Sequence, residues 1–379
     1  REACNYSNIP GENMIWADTK GNIGWQAVGI APIRNGFSGL VPIPGDGSHE
    51  WDGYLPIIEK PNEFNPKKGF IATANQNVTY KDYKNWNAIG YSWSDPYRGD
   101  RVNEVLNSDN NLNMEKMKNL QVDVMSLPAK ILVPFLKSLS FNEQENEIKN
   151  KLYDWDYRLS PNSIAASIYV SWENEIKNQA FIDFVPAKAK KYITSIQLKK
   201  IIDWIQNPTK NYFGSNPIKG RDDFLKKSFI KSIDNLKVKL GENVKNWSYG
   251  QEKFKHIQIS HALGNVVNKE IADKLNLGPL PRGGNAYTPG STGGNLKQSS
   301  GASFRMIVNT GDWDNSIATN TPGQSGNPES PFYNNLFSDW AKDKYFPIYY
   351  SKEKIKSVTY KQTFLSPNTM KLYLYKIFN

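Results

Sequence analysis

The apolar periodicity changes twice along the chain, and that change limits the fold more than any single motif. Ile15-Trp16-Ala17 and Ile23-Gly24-Trp25-Gln26-Ala27-Val28 are short runs of bulky residues on either side of Asp18-Thr19-Lys20-Gly21-Asn22. Gly21 is free to take a positive φ in that turn, so residues 13 to 34 are predicted to form a β-hairpin. From about residue 108 the period becomes helical. Leu198, Ile201, Ile202 and Ile205 fall on one face with Lys199, Lys200 and Asp203 opposite, and Leu225, Phe229, Ile233, Leu236 and Leu240 repeat the stripe. Strand-like runs return at His256–Ile259, Phe304–Val308 and Ser357–Tyr360. Strands, helices and strands in that order predict an α+β fold, with a mostly helical insertion in a mixed sheet. The expected division is 1–107, 108–250 and 251–379.

Between the hairpin and the helices, residues 35 to 66 are dense in Gly and Pro and read as mostly loop. Long loops in compact domains are uncommon unless functional. Trp51, Tyr54, Phe64 and Phe70 suit the wall of a pocket and suit an ordinary core equally well.

The formal charge of +10 over 379 residues raises the question of a nucleic-acid partner. The lysines, however, are spread along the helical middle, as at Lys188, Lys190, Lys191, Lys226, Lys227 and Lys231, which is the pattern of a solvated face. No RRM, zinc-finger or homeodomain signature accompanies them, so no nucleic-acid partner is expected. A single cysteine excludes an intrachain disulfide framework and a multi-thiolate metal site. No apolar run reaches the roughly 18 residues that a membrane span needs. Of the three histidines, His256 and His261 fall on a strand-like segment and read as core or supporting residues. No Ser sits in a G-x-S-x-G elbow, so a Ser-His-Asp triad is not expected.

Gly69-Phe70-Ile71-Ala72-Thr73-Ala74-Asn75-Gln76-Asn77 joins an apolar run to an amide-rich turn, and Pro96-Tyr97-Arg98-Gly99-Asp100-Arg101-Val102 follows. Upstream lie Asn13–Trp25, Pro32-Ile33-Arg34, Pro42-Ile43-Pro44-Gly45 and Glu50-Trp51-Asp52-Gly53. Downstream lie Trp247–Gly250, His261–Gly264, Gly283-Gly284, Gly301–Arg305 and Pro322–Pro331. In that order these residues resemble the penicillin acylase family of N-terminal-nucleophile hydrolases, in the later part of its catalytic β chain. The resemblance implies part of an αββα sandwich and an enzyme that cleaves a small N-acyl substrate. In that family a Ser, or another hydroxyl or thiol residue, is exposed as the first residue of the β chain by self-cleavage. Arg1-Glu2-Ala3-Cys4 resembles an internal stretch, so the nucleophile is expected from the upstream part of the same precursor or from a companion chain. Cys4 is not terminal and is expected inside the fold. An extracellular or periplasmic location is implied, with no required cofactor. Related acylases often hold a structural calcium between their chains, which suits oxygen ligands. Asp82 and Asp95 lie in the right neighbourhood, and no ligand is assigned.

Two residues carry the expected chemistry. An Asn amide fixed at a strand end can donate to the oxyanion of a tetrahedral intermediate, and Asn75 matches the family's oxyanion Asn. The alternative is a turn residue that tolerates a left-handed backbone, and Asn77 is the nearest rival position. Arg101 matches a family Arg close to the nucleophile's amine, where a fixed positive charge can lower that amine's pKa or orient an acyl carboxylate. Ion pairing with Asp100, Glu104 or Asp95 is the competing account. The free α-amine serves as base in such enzymes, so no His is required. The same sequence also fits a catalytically inactive, acylase-like binding or structural protein, since fold does not fix function.

Overall fold

Asp18 builds the first turn by accepting hydrogen bonds from the backbone N–H groups of Lys20 and Asn22 through Oδ1, and Gly21 completes it at φ +84°. The computed structural model describes residues 1–109 and 111–365. Strands β1 (Asn13–Ala17) and β2 (Ile23–Ala27) pair antiparallel across this turn, in register from Asn13 with Ala27 to Ala17 with Ile23. The hairpin stops there. β3 (Pro32–Arg34) instead pairs with β4 (Trp51–Tyr54) in a separate two-stranded sheet, and β5 (Asn62–Phe64) returns to β2. The predicted loop of residues 35 to 66 therefore holds two short strands and is otherwise irregular. As the middle strand, β2 carries the buried residues Trp25 and Gln26. A buried amide must find partners, and Gln26 Nε2 donates to Ile57 O at 2.8 Å.

The helical region begins earlier than the apolar stripe suggests. After α1 (Trp86–Ile89), Pro96 starts α2 (Tyr97–Ser108), which is followed by α3 (Met114–Gln121), α4 (Leu127–Leu132) and α5 (Glu143–Asn150). Pro fits a helix start because its missing N–H would be unpaired there in any case. α6 (Ile164–Phe184), α7 (Leu198–Gln206), α8 (Lys210–Phe213) and α9 (Pro217–Leu240) complete the bundle. The predicted faces are observed. Leu198, Ile201, Ile202 and Ile205 are at most 1% exposed, and Leu225, Phe229, Ile233 and Leu236 are buried on α9. α6 lies along α9, where Trp172 meets Phe229 edge to face and donates from Nε1 to Ser228 Oγ at 3.0 Å. Truncating a buried Trp of this kind to Ala costs about 3–5 kcal/mol. The lysines between the stripes are largely solvated, and Lys199 pairs with Asp203 and Lys219 with Asp223 on the surface.

β6 (His256–Ile259) follows and lies between β7 (Leu277–Pro281), reached through α10 (Lys269–Leu275), and β8 (Lys297–Gln298). β9 (Arg305–Ile307) and β10 (Ser316–Thr319) are joined beyond α11 (Phe337–Ala341) by β11 (Phe346–Ile348). Trp340 sits under the guanidinium groups of Arg282 and Arg305, and both arginines bind Asp343 Oδ1. The strand expected at Ser357–Tyr360 is not one. Ser351 caps α12 (Lys352–Val358) by accepting from Lys354 N, and an oxygen-bearing N-cap outweighs the β-branched residues at the helix's far end. Residues 366–379, the end of the expected third division, lie outside the described residues.

Candidate active site

A cavity of about 680 Å³ opens between the base of the β1–β2 hairpin, Lys60-Pro61, and two loop segments at 75–79 and 92–94. Asn75 is on its wall. Its backbone is left-handed, φ +65°, a conformation that Asn adopts more readily than most side chains. The peptide is held too, its carbonyl accepting from Ser94 N at 3.0 Å. The side chain is held as well. Arg98 Nη2 lies 2.8 Å from Asn75 Oδ1, and because a guanidinium only donates, the atom facing it must be the amide oxygen. The Asn75 N–H₂ meets no acceptor among the described residues and is left exposed beside the cavity.

The next residue fastens this turn to α2. Gln76 folds back so that Oε1 accepts from Ala74 N at 2.6 Å, and its side-chain amide rests on the bare backbone of Gly99. A Cβ at Gly99 would overlap that amide. Asn77 points elsewhere. Its Oδ1 closes a local turn with Thr79 N at 3.0 Å, and it lines a neighbouring cavity of about 480 Å³ with Tyr91 and Asp100. Three more bonds tie the cavity rim to the bundle. Asp95 accepts from Leu198 N and Lys199 N at the start of α7, while Gln197 Nε2 donates to Trp93 O at 2.7 Å.

Arg101 lies three residues beyond Arg98 on α2, and its guanidinium turns away from the cavity. Nε meets Asp123 Oδ2 at 2.7 Å and Nη1 meets Glu104 Oε2 at 3.0 Å. Burial draws its pKa down, but the hydrogen bonds to Asp123 and Glu104 outweigh that and leave it raised. Asp123 also takes Arg158 Nη2 at 2.8 Å and Met125 N at 2.9 Å. Of the three carboxylates expected to compete for Arg101, Glu104 does so; Asp123, well separated in sequence, is the shorter contact. Arg98 has no carboxylate within 4.0 Å among the described residues, and its burial lowers its pKa.

Two residues at the site lie outside the pair expected to carry the chemistry. Arg98 stands out in the sequence only as a near neighbour of Arg101 with a weaker match to the family, although it shares a helical face with Arg101 at i, i+3 once Pro96 is taken as a helix start. Lys60 does not stand out at all. It is only 9% exposed on the cavity wall, with Nζ donating to Val28 O at 2.6 Å and Gly29 O at 2.8 Å. No sequence signal marks a buried lysine.

The histidines stand apart from the cavity. His256 is on β6 as expected, whereas His261 lies past that strand and caps a short 3₁₀ turn, accepting from Leu263 N at 3.1 Å. His49 lies 2.7 Å from Ser48 Oγ, and Asp46 also takes that hydroxyl. Ser48 gives its proton to Asp46, and Asp46 does not orient the imidazole, so this exposed trio lacks the geometry of a catalytic triad. Cys4 is buried with Val28 and Ile57. Among the described residues no three His, Cys, Asp or Glu side chains gather where a metal could bind. Asp95 accepts from the start of α7 with both oxygens. No described helix is long and apolar enough to cross a membrane.

Comparison with known proteins brings these features together. The family model described as penicillin amidase matches residues 1–357. The acyl-homoserine lactone acylase QuiP of Pseudomonas aeruginosa is 26% identical over 89% of this chain and 44% of its own length. The penicillin acylase 2 proenzyme of Pseudomonas sp. SE83 is 25% identical over 90% of this chain and 44% of its length. The chain thus spans less than half the length of these relatives. A thermostable penicillin G acylase from Alcaligenes faecalis superposes with a TM-score of 0.66 over 97% of this chain and 69% of that one, at 16% identity. That likeness shows the shared fold, the N-terminal-nucleophile hydrolase fold expected from the sequence.

Proposed function

Because the chain belongs to the penicillin amidase family, we propose that it is part of an amidohydrolase that cleaves an N-acyl bond, with its nucleophile supplied by sequence outside these residues. The observation that carries the reading is the fixed amide of Asn75. Arg98 occupies its oxygen, which leaves the N–H₂ of this cavity-lining residue free to donate.

In this mechanism a hydroxyl or thiol at the start of the catalytic chain attacks the scissile carbonyl, and the neighbouring α-amine takes its proton. The carbonyl oxygen becomes an oxyanion and accepts from the Asn75 N–H. Collapse breaks the C–N bond, and the proton passes to the departing amine. Water then attacks the acyl-enzyme by the same route and releases the acid. Arg101 belongs to the reading as the charge near the nucleophile's amine. In the arrangement described its guanidinium is held by Asp123 and Glu104 and would have to turn from one of them.

The test is the release of a chromogenic amine from an N-acyl anilide. Residues 1–379 alone should release none, and the polypeptide completed by its upstream coding sequence should release it. Turnover by the chain alone would sink the external nucleophile. No turnover by the completed protein, with a residue other than Ser, Thr or Cys at its mature catalytic terminus, would favour an inactive binding scaffold.

A further inference from the structure

We propose that Lys60 makes the cavity beside Asn75 a subsite for a carboxylate on the substrate, so that the favoured substrates are N-acyl amino acids with a free acid group. The inference rests on the amidase reading and deepens it by naming a substrate class.

Lys60 follows the 3₁₀ turn Ile57–Glu59, and its side chain is buried with Nζ at the carbonyls just past β2. Two of its three N–H bonds go to the carbonyls of Val28 and Gly29. An ammonium carries three donors. No carboxylate lies within 4.0 Å of it among the described residues, and a buried charge ordinarily has an ionic partner. Burial lowers its pKa, as expected of a cation without a counter-ion.

Two other buried lysines show what a purely structural one does here. Lys149 binds Leu139 O and lies over the rings of Phe141 and Tyr153. Lys255 binds the carbonyls of Thr292 and Asn295. Neither lines the cavity that contains Asn75, whereas Lys60 does. The rest of that wall suits a polar group, with Asn13, Gln76, Thr79, Ser92 and Ser94 all present. Glu12 is the one carboxylate on the wall, and it is solvent-exposed and beyond 4.0 Å from the ammonium. An anion entering the cavity would complete the coordination of Lys60 while the scissile carbonyl faces Asn75.

The experiment compares N-acylglycines with the matching N-acylglycinamides on the completed enzyme, at several acyl lengths. The acid should have a kcat/KM about tenfold or more above the amide at low ionic strength, the effect of one charge-assisted hydrogen bond. The preference should fall as salt is raised and disappear in Lys60→Met, while Lys60→Arg keeps part of it. Equal rates for acid and amide in the wild type would overturn the proposal, whether or not Lys60→Met folds. So would a preference that survives in a folded Lys60→Met protein. Equilibrium dialysis of N-acylglycine against its amide reads the subsite without catalysis. A protein that binds the acid selectively but hydrolyses neither would overturn the amidase reading and leave the subsite standing.

Discussion

Arg98 Nη2 donates to Asn75 Oδ1 at 2.8 Å, joining the first turn of α2 to a left-handed turn 23 positions earlier. The bond commits the amide's oxygen to Arg98 and leaves its N–H₂ free to donate. Without it the side chain could present its oxygen, which cannot stabilise an oxyanion.

Asn75→Gly should therefore lower kcat by roughly 10²- to 10³-fold in the completed enzyme, the range seen when one oxyanion donor is lost. Gly accepts φ +65° without strain, so thermal unfolding should barely move. Unchanged kcat with a lower Tm would identify Asn75 as a turn residue and direct attention to Asn77.

Arg98→Met should lower kcat by a smaller factor, because the amide can still reach the donor orientation but no longer holds it. The double variant with Asn75→Gly should be no slower than Asn75→Gly alone. Additive losses in this cycle would mean that Arg98 acts independently of Asn75.

Asp123→Asn should destabilise the protein by about 2–3 kcal/mol, read as a drop in the urea midpoint. It leaves Arg101 and Arg158 without the buried carboxylate that both now share. This is below the roughly 3–5 kcal/mol that breaking a fully buried pair costs, since Arg158 is 36% exposed. A change within about 0.5 kcal/mol would assign the pair to the surface class.

Glu173 predicts a pH dependence. It is buried on α6, where Tyr169 O–H donates to Oε2 at 2.8 Å and Asn285 Nδ2 to Oε1 at 3.3 Å; Lys177 is 3.7 Å away. Burial raises its pKa above the ordinary 4.5 and outweighs these partners. A carboxyl raised in the folded state gives its full stability below the unfolded value and loses it as pH climbs through the folded one. Glu173→Gln should remove this slope, because the Tyr169 hydroxyl can turn to accept from the new amide. Tm measured from pH 4.5 upward should then fall more steeply in the wild type than in the variant. Parallel curves would refute the assignment.

The elements legible in the sequence are those governed by local rules. Asp18 and Gly21 define their turn regardless of what surrounds it, and the α7 stripe from Leu198 to Ile205 needs only a core to face. The strand predicted at Ser357–Tyr360 gives way to a helix for a local reason too, since the cap at Ser351 lies upstream of that run. The site was less legible because it is made of long-range contacts. Asn75 was visible as a candidate, but the orientation of its amide depends on Arg98, and the path of the chain between them is set by Ser94, Asp95 and Gln197. Lys60 owes its position to two carbonyls on another strand's end, a relation that no spacing encodes.

Gly99 limits how the cavity can be altered by mutation. The turn that presents Asn75 is seated against α2 through Gln76, and the seat exists only because position 99 has no side chain. Libraries built on the cavity wall, at Thr79, Ser92 or Ser94, can reshape what enters without moving that seat. A library at Gly99 would behave differently, yielding clones that express and fold yet share one kinetic defect whatever substrate is offered, because the alignment of the donor, not the fit of the substrate, has been lost.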